Sequence, residues 1–438
     1  MELLLTAKSG SDKGRSFWNN PVAWMREQNL SRGYWTFFAS AFFFDAGFCI
    51  YVFLFNLYLL DFHFNERAIG LIGGAMTLGS LLGTLPAGVL SRKFGIRSLL
   101  IVCFVASTFL GTLRLVWMSE SAQVALAFLA GLAMSSWGVC FLPAIARLTT
   151  EKNRTSAFSL ICSVSIVTSA LGGLVCGYLP HWLGMVGFVL RAVTVKRLIL
   201  LASCIVALMG IIPALRLKFP VSSQERSEAE SNTLSDGWFR DWKLDSFLLR
   251  YLPCMALWSA VLAAFTPFAN VYLARDLHIP MLRIGLIFSA VQIVQFSMGL
   301  AAPLVLRALG LTRGIVVLQA CAAITLVALA MARNGNVAIT FYMIFSAAQW
   351  MSMPGLLNLL MNETPDHRRS AASAMMLFCN AFVSSVATAT AGILFSRFGY
   401  PPVLAGIALL AFVVALLFRL VVAPQVRRGT ANIGDFAL

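Results

Sequence analysis

Apolar residues run along this chain in long blocks, separated by short polar stretches. Six blocks fall near 34–60, 68–90, 98–118, 122–146, 156–180 and 198–217, and six more near 249–273, 282–306, 312–332, 336–361, 370–395 and 400–422. Each is close to the roughly 20 residues that an α-helix needs to cross a bilayer. The pattern predicts an all-α membrane protein of twelve transmembrane helices, six on either side of a polar gap.

The two sets of six look like copies. Asn56-Leu-Tyr58-Leu-Leu-Asp61-Phe-His63 returns as Asn270-Val-Tyr272-Leu-Ala-Arg275-Asp276-Leu-His278, with one residue inserted before the aspartate. At a constant offset of 215, Ile69-Gly70-Leu71-Ile72 returns as Ile284-Gly285-Leu286-Ile287, and Arg92-x-x-Gly95 as Arg307-x-x-Gly310. Apolar helices align leucines by chance, but not Asp-x-His, Ile-Gly-Leu-Ile and Arg-x-x-Gly together. A tandem duplication predicts two six-helix pseudo-repeats. The expected organisation is an N-terminal segment (1–33), a first bundle (34–217), a linker (218–248), a second bundle (249–423) and a tail (424–438).

Composition supports the membrane reading. Hydrophobic residues make up 59% of the chain and charged residues 12%, with a mean hydropathy of +0.82. Soluble domains carry about twice that charged fraction. The net charge of +15 raises the question of nucleic acid. Of 33 Lys and Arg, nine (Arg67, Arg114, Arg191, Lys196, Arg197, Arg275, Arg283, Arg333 and Arg397) fall on one side of the predicted topology, leaving 24 with the termini. That asymmetry fits the positive-inside rule with both termini in the cytoplasm, and no basic patch is left to serve a nucleic acid. Arg191, Lys196 and Arg197, in the long 5–6 connection, run against it locally.

Nine cysteines are scattered with no C-x-x-C pair, which suits packing better than a disulfide framework or metal site. No cleavable signal peptide is apparent. Asn20-Pro21 suits the start of a helix, and Trp18, Trp24 and Trp35 suit the membrane interface, so an interfacial helix is expected before the first span, with a disordered tail as the alternative. The linker is rich in Ser and Glu and should be flexible. Its Trp238, Phe239 and Trp242 beside Arg240 and Lys243 suit a membrane surface.

Candidate chemistry concentrates on the first span. Asp45 is the one acidic residue placed deep in the membrane, where a carboxylate costs about 2.5–3.5 kcal/mol on insertion scales. It shares a helix face with Asn56, three turns on, and that face is expected to look at a cavity. Two readings are open: a proton- or cation-coupling group, or a buried acid satisfied by a Ser, Trp or Arg of a neighbouring helix.

Between the second and third spans, Gly88-Val-Leu90-Ser-Arg92-Lys93-Phe-Gly95-Ile96-Arg97 resembles the loop 2–3 signature of the major facilitator superfamily, Gly-x-Leu-Ala-Asp-Arg-x-Gly-Arg-Arg. Gly88, Leu90, Lys93, Gly95 and Arg97 match; Arg92 stands in place of the family's gating aspartate and Ile96 in place of a basic residue. The segment from Pro143 through Arg147 and Glu151 to Arg154 resembles the family's 4–5 connection, with a counterpart from Pro354 to Ala371 that includes Asn358, Glu363, Arg368 and Arg369. The resemblance covers about 34–423 and implies two bundles that rock around a midplane site, with Gly88, Lys93, Gly95, Arg97 and Arg154 in gating loops. Charges of the 4–5 and 10–11 connections would form a cytoplasmic latch or be ordinary solvated loop charge. Ala127, four residues before Gly131, replaces an arginine of many relatives, and Gly172, Gly173 and Gly177 lack the Gly-Pro pair of drug/proton exchangers.

Arg114 offers either a substrate or ion-pair role or a side chain that snorkels to water. Tyr251, Trp258, Phe265 and Tyr272 form a stripe at spacing seven, which packs helices or lines a site. The cavity candidates are Asn56, Trp258, Asn270, Gln292, Gln295 and Trp350, with Gln349 and Asn358 as further hydrogen-bonding groups. No P-loop, H-E-x-x-H or supported Ser-His-Asp set is present, and no enzyme, cofactor or metal is expected. The leading reading is a secondary active transporter of a small organic solute in the cell (inner) membrane, proton-coupled through Asp45. Alternatives are an uncoupled facilitator, an efflux exchanger, or a non-transporting receptor or scaffold of the same fold. The expected partners are a small-molecule substrate and the lipid bilayer, not nucleic acid, and the chain is expected to act as a monomer.

Overall fold

The computed structural model describes residues 30–185, 191–219, 246–365 and 368–424. The expected N-terminal interfacial helix, most of the linker with its tryptophans, and the tail from 425 lie outside the described residues.

Hydropathy dictates the architecture. Ten helices are long and apolar enough to cross a membrane. One of them, Glu66–Arg114, is 49 residues and breaks at Gly95 (φ 80°, ψ 155°) into arms 66–94 and 96–114, α2 and α3. The helix Gly335–Glu363 is as long as its neighbours but is diluted by Asn336, Gln349, Asn358 and two serines. With both counted, the described helices are consistent with twelve spans. The others are α1 (Arg32–Asp61), α4 (Glu120–Leu148), α5 (Glu151–Met185), α6 (Ala192–Arg216), α7 (Ser246–Asp276), α8 (Met281–Leu309), α9 (Leu311–Met331), α10 (Gly335–Glu363), α11 (Arg369–Phe398) and α12 (Tyr400–Val422). Large apolar side chains such as Ile324, Leu304 and Met331 are exposed on the outer helices, as expected where lipid is the solvent.

The repeat seen in the sequence is a repeat in space. Helix α1 packs on α5 and α6 as α7 packs on α11 and α12; α2 packs on α4 as α8 packs on α10. Backbone irregularities repeat as well. Gly95 and Gly310 both take φ 80°, a left-handed value that a Cβ disfavours, and each breaks the chain after an Arg-x-x. His63 (φ 60°) and His278 (φ 51°), also 215 residues apart, are left-handed too.

Two apolar cores result. One fills the second half and reaches the first-half residues Leu54, Tyr58 and Ile69; the other lies in the first half, around Tyr34, Phe37, Phe44, Phe104 and Cys140. In the latter, Phe44 stacks on Phe104 at 4.3 Å between ring centroids. The basic 5–6 connection gains a partial account. Lys196 lies 2.8 Å from the Asp61 carboxylate and donates to the Leu57 carbonyl at 3.2 Å, so this cation is tied back to α1.

Small residues set helix spacing within the first half. A Cβ on Gly131 of α4 would collide with the Met76 carbonyl of α2, whereas one on Gly138 would meet nothing within 4 Å. Gly131→Ala should therefore destabilise the protein by about 1–3 kcal/mol, the usual cost of overpacking. Gly138→Ala should be neutral or stabilising. Thermal unfolding of both variants in detergent checks this; equal midpoints would show that α2 and α4 yield freely.

Candidate functional site

The two halves meet at one end and part towards the other. The near end carries Arg32, Gly95, Leu148, Arg216 and Val422, and the far end carries the turns at 62–65, 115–119, 277–280 and 332–334. Helices α2 and α11 touch where a Cβ on Gly70 would lie 2.8 Å from Gly392 Cα, and Ser385 Oγ donates to the Gly74 carbonyl at 2.7 Å. Helices α5 and α8 touch where a Cβ on Gly173 would lie 2.8 Å from the Gly285 carbonyl, and Ser289 Oγ donates to the Ala170 carbonyl at 2.6 Å. Both contacts lie in the far-end part of their helices. Small residues allow backbones this close in a membrane, where water exclusion cannot drive helices together.

Helices α1 and α7 complete the seal with a reciprocal pair. Asn56 Nδ2 donates to the Pro267 carbonyl and Asn270 Nδ2 to the Phe53 carbonyl, each at 3.0 Å. The acceptor stands three residues before the asparagine in both copies, so the two bonds are related by the pseudo-twofold of the duplication. Phe53 and Phe288 pack edge to face beside them at 5.1 Å.

Asp45 lies on the open side of this seal, 11 residues before Asn56 on the same face of α1 and about 16 Å nearer the near end. Its Oδ2 accepts from Ser165 Oγ of α5 at 2.7 Å. One turn further along α1, Cys49 Sγ lies 3.1 Å from Ser169 Oγ, and Val52 on the same face is 47% exposed. A carboxylate here binds α1 to α5 and is half-buried, so solvent can reach it from the gap.

The other candidates divide. Gln292 and Gln295 are half-buried on α8, and Gln292 continues the face of Gly285 and Ser289 past the point where α8 leaves α5. Trp350 is 48% exposed on α10. Asn56 and Asn270 are closed into the seal rather than open to a cavity. Trp258 is fully buried, as are Tyr251, Phe265 and Tyr272, so the aromatic stripe packs α7 into its own half. Periodicity could not separate these cases, because packing and lining faces share one period.

Arg114 neither snorkels nor faces the gap. It is 4% exposed, its guanidinium lies 4.1 Å over the Phe55 ring, and its Nε donates to Gln123 Oε1 at 3.2 Å. Gln123 in turn donates to the carbonyls of Arg114 and Trp117, which ties α3 to α4. In the loops, Lys93 is exposed, a Cβ on Gly88 would meet nothing within 4 Å, and Arg97 donates to the Leu215 carbonyl of its own half. Arg154 Nε is buried with no hydrogen-bond partner among the described residues. Among the described residues no three His, Cys, Asp or Glu side chains converge as a metal site.

Sequence reasoning allowed Asp45 a serine partner on a neighbouring helix without identifying Ser165, and it missed the glycine contacts. The Gly70-x-x-x-Gly74 and Gly173-x-x-x-Gly177 spacings carry the latter signal. It also missed Glu66, which is 6% exposed and lies 3.0 Å from Arg275 of the other half.

If the asparagines hold the seal, Asn270→Ala should loosen it, since the bond it removes is worth about 1 kcal/mol. In a cysteine-free background, Val52→Cys should then react several times faster with an impermeant thiol reagent applied at the far-end face. An unchanged rate would assign the seal to the glycine contacts alone.

The Major Facilitator Superfamily model matches residues 36–388. A search of curated proteins found no match. Among solved structures, the nucleoside transporter NupG aligns with a TM-score of 0.69 at 14% identity, over 89% of this chain and 98% of that one. The xylose transporter XylE from E. coli, in an inward open conformation, aligns with a TM-score of 0.66 at 15% identity, over 88% and 94%. A bacterial homologue of the human lysosomal transporter Spinster, inward-facing and unoccupied, aligns at 0.66 and 11% identity, over 90% and 96%. These likenesses establish the fold, the family match covers most of the chain, and the protein belongs to the major facilitator superfamily.

Proposed function

We propose that this protein is a secondary active transporter of a small organic solute, working by alternating access and coupled to protons through Asp45. The observation that carries this reading is the position of Asp45 on the open side of the Asn56 and Asn270 seal, where a titrating group meets the gap between the halves. Coupling requires protonation to favour one conformer over the other by a differential free energy. The bond from Ser165 supplies a route, because α5 also packs on α8 across the interface. The excess of Lys and Arg at the near end supports a cytoplasmic placement of that end, which makes the described conformer inward-facing.

The solute class follows from the lining proposed for the gap. Gln292, Gln295, Trp350 and Asp45 offer amide, aromatic and carboxylate groups. Every described Lys and Arg lies within about two turns of an end of its helix or arm, so none stands at mid-span to hold a phosphate. A neutral or cationic solute suits this lining. The solved relatives named for nucleosides and xylose make such neutral, hydroxyl-rich compounds the first to test. An uncoupled facilitator is the second reading, favoured by the 2.7 Å bond that already satisfies Asp45.

In proteoliposomes with an imposed pH gradient, Asp45→Asn should abolish accumulation of the solute while equilibrium exchange survives, since the amide keeps the shape but cannot titrate. Accumulation against a gradient with unchanged pH dependence would make the carboxylate structural. For orientation, a cysteine at Ser91 should be shielded from an impermeant reagent added outside intact cells. Rapid labelling would place the near end outside and make the described conformer outward-facing.

A further inference from the structure

The second copy of the repeat carries one residue more than the first, and the structure shows where it goes. Asn56 and Asn270 are 214 apart, as are Tyr58 and Tyr272, but Asp61 and Asp276 are 215 apart, as are His63 and His278. In the first half, α1 runs as unbroken α-helix through Asp61. In the second, Tyr272–Asp276 is wound as a π-helix, with the Leu277 amide donating to the Tyr272 carbonyl five residues back at 3.2 Å. A single extra residue in an α-helix is absorbed as one π turn, and such turns recur at functional positions.

Arg275 lies inside that turn and has no counterpart in α1. Its Nη1 reaches both carboxylate oxygens of Glu66, at 3.1 and 3.0 Å. Glu66 is the first residue of α2, whose start is fixed by Asn65 capping the Ala68 amide at 3.0 Å. A carboxylate is favoured in the first turn of a helix. The Glu66 carbonyl also abuts Gly392 of α11, so its helix start is lodged against two elements of the other half. The 215-residue counterpart of Glu66 is Met281, so the duplication supplies no second pair of this kind. The ion pair of Lys196 with Asp61 stays within one half, whereas that of Glu66 with Arg275 joins the two.

We propose that the Glu66 and Arg275 pair is a far-end latch, created by the one-residue insertion, that biases the transporter towards the conformer closed at that end. The asparagine pair and the glycine contacts shape the seal in both copies, and the latch adds a charge attraction made in the closed conformer alone. Separation of the halves returns both groups to water. This inference concerns the resting equilibrium and does not rest on Asp45, on protons or on the solute.

The test uses the full chain in lipid nanodiscs without substrate or pH gradient. Spin labels are placed on Trp117→Cys of the first half and Asn336→Cys of the second, in a cysteine-free background. Glu66→Gln and Arg275→Gln should each raise the ratio of far-end-open to far-end-closed distances by roughly two- to fivefold, the scale of a partly exposed ion pair. The reversed pair, Glu66→Arg with Arg275→Glu, should return the ratio close to that of the parent. Unchanged distance distributions in both single variants would overturn the proposal. So would a folded reversed pair whose ratio equals the combined effect of the singles. If the reversed pair fails to fold, the single variants decide alone.

Discussion

Helices inside a bilayer have no water to expel, so their association depends on how closely their backbones can approach. That constraint governs this molecule. Where Gly70 meets Gly392, and Gly173 and Gly177 meet Gly285, the two halves come into backbone contact. Serine hydroxyls at 289 and 385 then reach carbonyls across the interface. All of these positions lie towards the far end of their helices. Two rigid bundles that touch along one end must diverge along the other, and the gap that holds Asp45 follows from where the glycines stand.

Most of the fold was legible because lipid imposes a coarse rule. A span must be apolar and about 20 residues long, so hydropathy located the helices even where Gly335–Glu363 is diluted by polar groups. Duplication was legible because His63 and His278, like Gly95 and Gly310, hold left-handed backbone at matched positions, and such positions restrict residue type. The site was legible only in part. Asn56 and Asn270 stood out as repeated polar residues, but a repeat does not say whether an amide faces a cavity or a carbonyl 211 or 217 residues away. Trp258 was misplaced for a related reason: a seven-residue aromatic spacing is equally compatible with packing and with lining. For Arg114, depth suggested a route to water; Phe55 and Gln123 hold it inside.

Departures from the twofold carry as much information as the matches. The counterpart of Asp45 at offset 214 is Ser259, which is buried in the second half. The coupling candidate therefore belongs to one half only, bonded to that half's own α5. A symmetric pair of bundles can supply a hinge and a seal. Twofold-related contacts can themselves favour one closed end, as the Asn56 and Asn270 pair does, and groups present in one copy alone add to that bias from one side. Asp45 and Arg275 are such groups, one below the seal and one above it.

The proposed transport cycle requires the seal to reopen, which sets its polar contacts against its apolar ones. One apolar cluster runs from the second half into Leu54, Tyr58 and Ile69 of the first, and Phe53 packs on Phe288 beside it, so opening the far end would expose apolar area at about 25 cal/mol per Å². Hydrogen bonds to carbonyls behave differently, because water replaces the lost partner, and the net cost of each is about 1 kcal/mol. A partly exposed ion pair adds a similar amount. Under the proposed alternating access, the balance of these polar and apolar terms decides how far one bound solute or proton shifts the population between closed and open conformers. The largest apolar side chains are spent within the halves, where Trp258, Phe265 and Phe345 in one, and Phe44 and Phe104 in the other, are buried and hold each bundle together.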